Sequence, residues 1–157
     1  AITNAGGIRN DLEEGPVTHG ALYDVLPFAN RLVRMSMTGA DIFAVLEQQF
    51  AGDRLALPSF LRISGLRYVY DTARPPGQRI LAADDAAGRS IEATRRYVVV
   101  ANDYIAAGGD RFTAFAAATD PMPLMTDLEA VEASIARGGV PLASASDGRA
   151  RPFATRR

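Results

Sequence analysis

Residues 97–110 read Tyr97-Val98-Val99-Val100-Ala101-Asn102-Asp103-Tyr104-Ile105-Ala106-Ala107-Gly108-Gly109-Asp110. A short apolar run, rich in β-branched side chains, passes directly into polar residues and then into paired glycines. Tyr97–Ala101 is therefore predicted to be a buried strand. A strand that ends this way delivers its polar followers to a sheet end, where ligand sites are common. Asp110, just after Gly108 and Gly109, either completes a turn or accepts hydrogen bonds from a vicinal diol.

Outward from this strand, elements of both kinds alternate irregularly. Residues 61–70 alternate in polarity and predict one long strand, with Gly65 at a bulge or bend. Residues 79–83 predict a strand that pairs with a short one near 90–92 across a loop at 84–89, after a turn at Arg74-Pro75-Pro76-Gly77. Residues 31–37 form a further predicted strand. Thr38 and Asp41 resemble a capping box that opens a helix to about Phe50, with Ile42, Val45, Leu46 and Gln49 at helical spacing. Thr18 is placed to cap a helix over 19–26 that Pro27 ends. Thr126 and Glu129 form a second capping box, starting a helix that Gly138-Gly139 stops. Residues 52–59 predict a polar loop, and 144–157 read as a tail following a domain at 1–143. The sum is an α+β fold, a mixed sheet with packed helices in a single domain.

Composition narrows the chemistry. The 157 residues suit one domain, and a formal charge of −1 argues against binding nucleic acid through bulk electrostatics. No apolar run approaches a membrane span, and Ala1 looks like a cut point rather than a natural start. All 17 basic residues are Arg, so a P-loop Lys, a Schiff base and a Ser-Lys dyad are impossible. Cysteine is absent, which removes disulfides, zinc thiolates and thiol nucleophiles. The single histidine, His19, and the acidic pairs Glu13-Glu14 and Asp84-Asp85 do not supply a di-metal ligand set, and no metal site or cofactor is expected in this chain. No Ser lies in a G-x-S-x-G context, so a Ser-His-Asp hydrolase is not supported either.

Two more segments depart from simple packing. Asn4-Ala5-Gly6-Gly7-Ile8-Arg9 pairs glycines that allow close backbone approach with an Arg whose planar fork suits phosphate or carboxylate. Strand-Gly-Gly turns are also common without any ligand. In Leu26-Pro27-Phe28-Ala29-Asn30, Pro27 throws Phe28 into a loop, as either a core plug or a stacking platform. Spacing alone does not say whether Phe28 and Tyr104 share a slot.

Taken in order, N-A-G-G-I-R, L-P-F-x-N, L-R-I-S-G-L-R-Y-V-Y-D and N-D-Y-I-A-A-G-G-D-x-F resemble the 5′-nucleotidase C-terminal domain over residues 1 to about 116. The resemblance implies a substrate-binding domain of a two-domain, metal-dependent nucleotide phosphohydrolase. Its N-terminal metallophosphoesterase domain would lie in the same polypeptide and carry two divalent metal ions. It further implies that Phe28 and Tyr104 sandwich a base, that Asn4 and Asn30 meet base or ribose, and that Asp110 holds the ribose hydroxyls. Arg9 would match an Arg of the phosphate-binding group, and Gly7 would count among the substrate-binding residues. Tyr104 stands where Phe is frequent, and Arg111 where G-G-D-G-F has glycine; Arg111 is expected to point to solvent, the alternative being a reach towards substrate phosphate. A periplasmic or extracellular location is implied, with no membrane span. The alternative is a non-catalytic nucleoside-binding or surface-interaction module of the same fold.

Overall fold

The computed structural model describes residues 1–52, 61–138 and 148–153. Among them a five-stranded and a three-stranded sheet enclose one core. Ile2–Thr3 (β1), Arg31–Thr38 (β2), Arg62–Ile63 (β3), Arg96–Asn102 (β6) and Thr119–Thr126 (β7) make the larger sheet, in the order β3-β1-β6-β2-β7. Leu66–Tyr70 (β4), Ile80–Asp85 (β5) and Ala150–Pro152 (β8) make the smaller, in the order β5-β4-β8. Parallel pairing of β1 with β6 and of β4 with β8 is combined with antiparallel pairing elsewhere, so both sheets are mixed.

Alternation along β2 and β6 decides which face is buried. Met35 pairs with Val99 and Val33 with Ala101, and these side chains point inward, where Met37 joins them. Against them lies the helix Gly39–Glu47 (α2), whose Ile42, Val45 and Leu46 are buried at helical spacing. The expected capping box is present: Thr38 Oγ1 accepts from Asp41 N, and Asp41 Oδ2 accepts from Thr38 N. The helix then tightens into a 3₁₀ turn, Gln48–Phe50. Tyr68, Leu66, Ile80 and Ala83 close the core from the smaller sheet, and Phe50, Phe112 and Phe115 fill its centre. On the opposite face of the larger sheet, helices His19–Val25 (α1) and Asp127–Gly138 (α4) border a shared cavity with Leu32 and Val100.

Four expectations change. The long strand over 61–70 is two strands in different sheets. Gly65, at φ +74°, turns the chain so that β3 joins β1 while β4 joins β5. β5 runs Ile80–Asp85 and pairs with β4; the expected 90–92 partner is reduced to a bridge between Asp84 and Ser90, with Ile91 N donating to Ala83 O. β7 is unexpected, because Pro121 and Pro123 argue against a strand; both are tolerated because β7 is an edge strand. The segment read as a tail contributes β8, which pairs with β4 and is tied by Phe153 N donating to Tyr70 O at 2.7 Å. Residues 53–59 of the expected polar loop, the stop at Gly139 and residues 144–147 and 154–157 of the tail lie outside the described residues.

Candidate functional site

β1 and β6 run side by side in the same direction, with Ile2 opposite Ala101, so Asn4 and Asn102 emerge together at one sheet end. Asn102 caps the short helix Asp103–Ala106 (α3): its Oδ1 accepts from Ile105 N at 2.9 Å. That helix sets Tyr104 on its first turn. Gly108, at φ +91°, reverses the chain, and Gly109 passes under the Tyr104 ring. A Cβ at Gly109 would stand 2.7 Å from Tyr104 ring carbons and 2.5 Å from its carbonyl oxygen, so only glycine fits there.

A polar relay spans this corner. Asn102 Nδ2 donates to Thr3 Oγ1 at 3.0 Å and to Asn4 Oδ1 at 2.9 Å. Asn4 Nδ2 donates to Asp110 Oδ2 at 2.7 Å, and the Tyr104 hydroxyl donates to Asp110 Oδ1 at 3.0 Å. Asn102 is 1 % exposed and Asn4 5 %, so a buried pair of amides carries the relay. Buried amides are kept only where their donors and acceptors are met; here the amides meet one another.

The other wall comes from the end of α1. Arg9 N donates to Val25 O at 2.9 Å, which fixes the Gly-rich turn against that helix, while Arg9 Nη1 reaches back to Gly6 O at 3.4 Å. Beyond Pro27, Phe28 is 57 % exposed and Ala29 adopts φ +46°. Asp127 N donates to Asn30 O at 2.9 Å, pinning this loop to the start of α4. Burial pushes the Asp127 carboxyl above its ordinary range, opposed by hydrogen bonds from Leu128 N and the Asn30 side chain.

Asn4, Gly7, Arg9, Phe28, Asn30, Tyr104 and Asp110 all line one cleft of about 360 Å³, with Gly6. Tyr104 is 48 % exposed, so both rings stand open at its mouth rather than plugging the core. Three of the non-glycine residues at positive φ, Ala29, Asp110 and Arg111, fall in its two loops. Strain of this kind clusters at functional sites. Arg111 is exposed and borders a separate small cavity with Gln48, Ala51 and Gly52, not the cleft. The sequence reading gave Asn102 no role, although an Asn between strand and helix is a cap signal that could have marked it, and it noted Gly6 only as one of a glycine pair. Glu13, Glu14, Asp84 and Asp85 do not join the cleft; the Asp85 carboxylate instead binds Ala87 N and Arg89 N in its own turn. His19, on α1, contacts Glu132 of α4. Among the described residues no group of three or more His, Asp or Glu side chains is arranged to hold a metal ion.

Fold and cleft define an α+β domain with a small-molecule-sized pocket at a strand end. The sequence model of the family described as "5′-nucleotidase, C-terminal domain" matches residues 1–117, and the chain belongs to that family. It is 37 % identical over 123 residues to Cell wall protein Lmo0130 of Listeria monocytogenes, covering 73 % of this chain and 15 % of that protein. Identity to the trifunctional nucleotide phosphoesterase protein YfkN of Bacillus subtilis is 32 % over 123 residues, covering 76 % of this chain and 8 % of that one. The crystal structure of a 5′-nucleotidase precursor from Thermus thermophilus superposes with a TM-score of 0.87 at 34 % identity. That alignment covers 99 % of this chain and 31 % of the precursor. The chain thus spans a minor part of each relative's length. No helix among the described residues is long and apolar enough to cross a membrane.

Proposed function

We propose that the cleft binds the nucleoside part of a nucleotide, and that this domain holds substrate for a metal-dependent phosphohydrolase of the 5′-nucleotidase type. The observation that carries the reading is the opening of Phe28 and Tyr104, from distant stretches of chain, onto one cleft beside a carboxylate and a guanidinium. A base stacked on an aromatic face gains ~1–3 kcal/mol per stack. Asp110 accepts from the ribose hydroxyls, Asn4 and Asn30 border base or ribose, and Arg9 with the Gly7 turn meets phosphate oxygens. Family membership supports the same assignment, as do the relatives described as a nucleotide phosphoesterase and a 5′-nucleotidase.

The described residues do not fit a metal pair, and no chemical step is assigned to them. Under this reading two divalent ions lie in an N-terminal metallophosphoesterase domain of the same polypeptide, and the protein works in the periplasm or outside the cell. The relative described as a cell wall protein agrees with that location.

Titration of the chain with adenosine, AMP and UDP-glucose, followed by amide chemical shifts, tests the site and ranks the ligand classes. Shifts are expected at Gly6, Gly7, Asn30 and Asp110, and Phe28→Ala is expected to weaken binding about tenfold through loss of one stack. Unchanged affinity in that variant would remove the aromatic clamp. If the polypeptide that carries this domain lacks D-x-H and G-N-H-E metal motifs upstream, the same cleft serves a non-catalytic nucleoside-binding module.

A further inference from the structure

We propose that the Tyr104 hydroxyl is a positioning group that holds the Asp110 carboxylate for two adjacent hydroxyls, making the domain select ribonucleosides over deoxynucleosides. The inference rests on the nucleoside reading of the cleft and adds a residue-level cause for sugar selectivity.

Asp110 and Arg111 are consecutive non-glycine residues at φ +51° and +63°. Side chains other than glycine disfavour that region, so the turn needs outside restraint. Tyr104 supplies it twice: its hydroxyl donates to Asp110 Oδ1 at 3.0 Å and accepts from Asp110 N at 3.3 Å. The contact is built in, because Gly109 leaves no Cβ to hold the ring away.

The opposite oxygen is held just as definitely. Ile105 N–H can only donate, so Asn102 must present Oδ1 to it and Nδ2 to Asn4. Asn4 then has to accept through Oδ1 and donate through Nδ2 to Asp110 Oδ2. The orientation of both amides is thereby fixed by the donors and acceptors they meet. Asp110 is clamped between an amide on the core side and a phenol on the cleft side. The carboxylate held in this way lines the cleft, where the nucleoside reading places the vicinal diol. The ring that lines the cleft thus also tethers the sugar-reading group. Phenylalanine would keep the ring face and lose the tether.

The test compares adenosine with 2′,3′-dideoxyadenosine, titrated into the wild-type chain, Tyr104→Phe, and Tyr104→Phe combined with Arg111→Gly. Loss of a charge-assisted bond is expected to weaken adenosine binding about tenfold while dideoxyadenosine changes less than about twofold. Arg111→Gly, by easing the turn, is expected to restore part of the adenosine affinity lost in Tyr104→Phe. Equal weakening of both ligands, or none, overturns the positioning role while leaving the nucleoside cleft intact. A wild-type chain that binds neither ligand overturns the cleft reading as well.

Discussion

Gln49 sits at the centre of the molecule with no exposed surface, yet it is fully polar at its tip. Its Oε1 accepts from Leu61 N at 2.8 Å and from the Tyr68 hydroxyl at 3.1 Å, and its Nε2 donates to Leu46 O at 2.9 Å. One side chain therefore joins α2 to the smaller sheet and to Leu61, the residue just before β3. Gln49→Leu keeps the approximate volume but strands the Leu61 N–H and the Tyr68 hydroxyl. Burial without a partner costs ~1–3 kcal/mol per group, so with two groups stranded the variant is expected to lose about 2–6 kcal/mol in urea unfolding. Residue identity alone did not reveal this role: Gln49 falls on the helical spacing of a core face, and only its partners explain why a polar residue is there. The same holds for Asn102. Its place between strand and helix signals a cap, whereas its second task, orienting Asn4 toward Asp110, depends on β1 lying beside β6.

Among the elements, the helices were the most legible, because the bonds that start them lie within one turn of sequence. The Thr126 and Glu129 box forms as its spacing requires: Glu129 Oε2 accepts from Thr126 N at 2.8 Å, and Glu129 N donates to Thr126 Oγ1 at 3.2 Å. The bond from Thr126 N holds the Glu129 carboxyl below its ordinary range, aided by the Thr126 hydroxyl. A depressed folded-state pKa contributes stability above the unfolded-state value, and that contribution is lost as pH falls through the folded value. Glu129→Gln is therefore expected to flatten the decline in urea midpoint on acidification from neutral pH through the carboxylate range. An unchanged acid slope would show that this carboxylate adds nothing to α4. Strands were less legible, and β7 is the clearest case. Pro121 and Pro123 argue against a ladder by their missing N–H groups, but an edge position leaves one side of the strand without a neighbour.

For the whole molecule, the union of two sheets is decided far from where the sequence patterns lie. Tyr68 N donates to Arg149 O at 2.7 Å, Arg149 Nη1 donates to Ile63 O at 2.5 Å, and Phe153 N donates to Tyr70 O. The C-terminal strand thus covers β4 and also touches the strand that leaves for the other sheet. Removal of residues 148–157 is expected to lower the thermal midpoint, by the loss of roughly 2–4 kcal/mol in hydrogen bonds and edge protection. A truncated chain with an unaltered midpoint would reduce β8 to an ornament of the fold. The Ser-, Ala- and Arg-rich composition of this segment gave no sign of a strand, because three residues of parallel pairing need only an available neighbour and no pattern of their own.

By itself, the sequence determined the helices α1, α2 and α4 with their caps, the strands at 31–37 and 97–101, and the absence of thiol and lysine chemistry. These are short-range or compositional matters, settled by hydrogen bonds spanning a turn or by side chains the chain does not possess. Tertiary structure alone decided that residues 62–63 and 66–70 part into different sheets, that β7 and β8 find places at sheet edges, and that Phe28 and Tyr104 open onto one cleft. Those outcomes depend on which distant backbone edges meet, and in this chain the meeting turns on a left-handed Gly65 and on β1 aligning with β6.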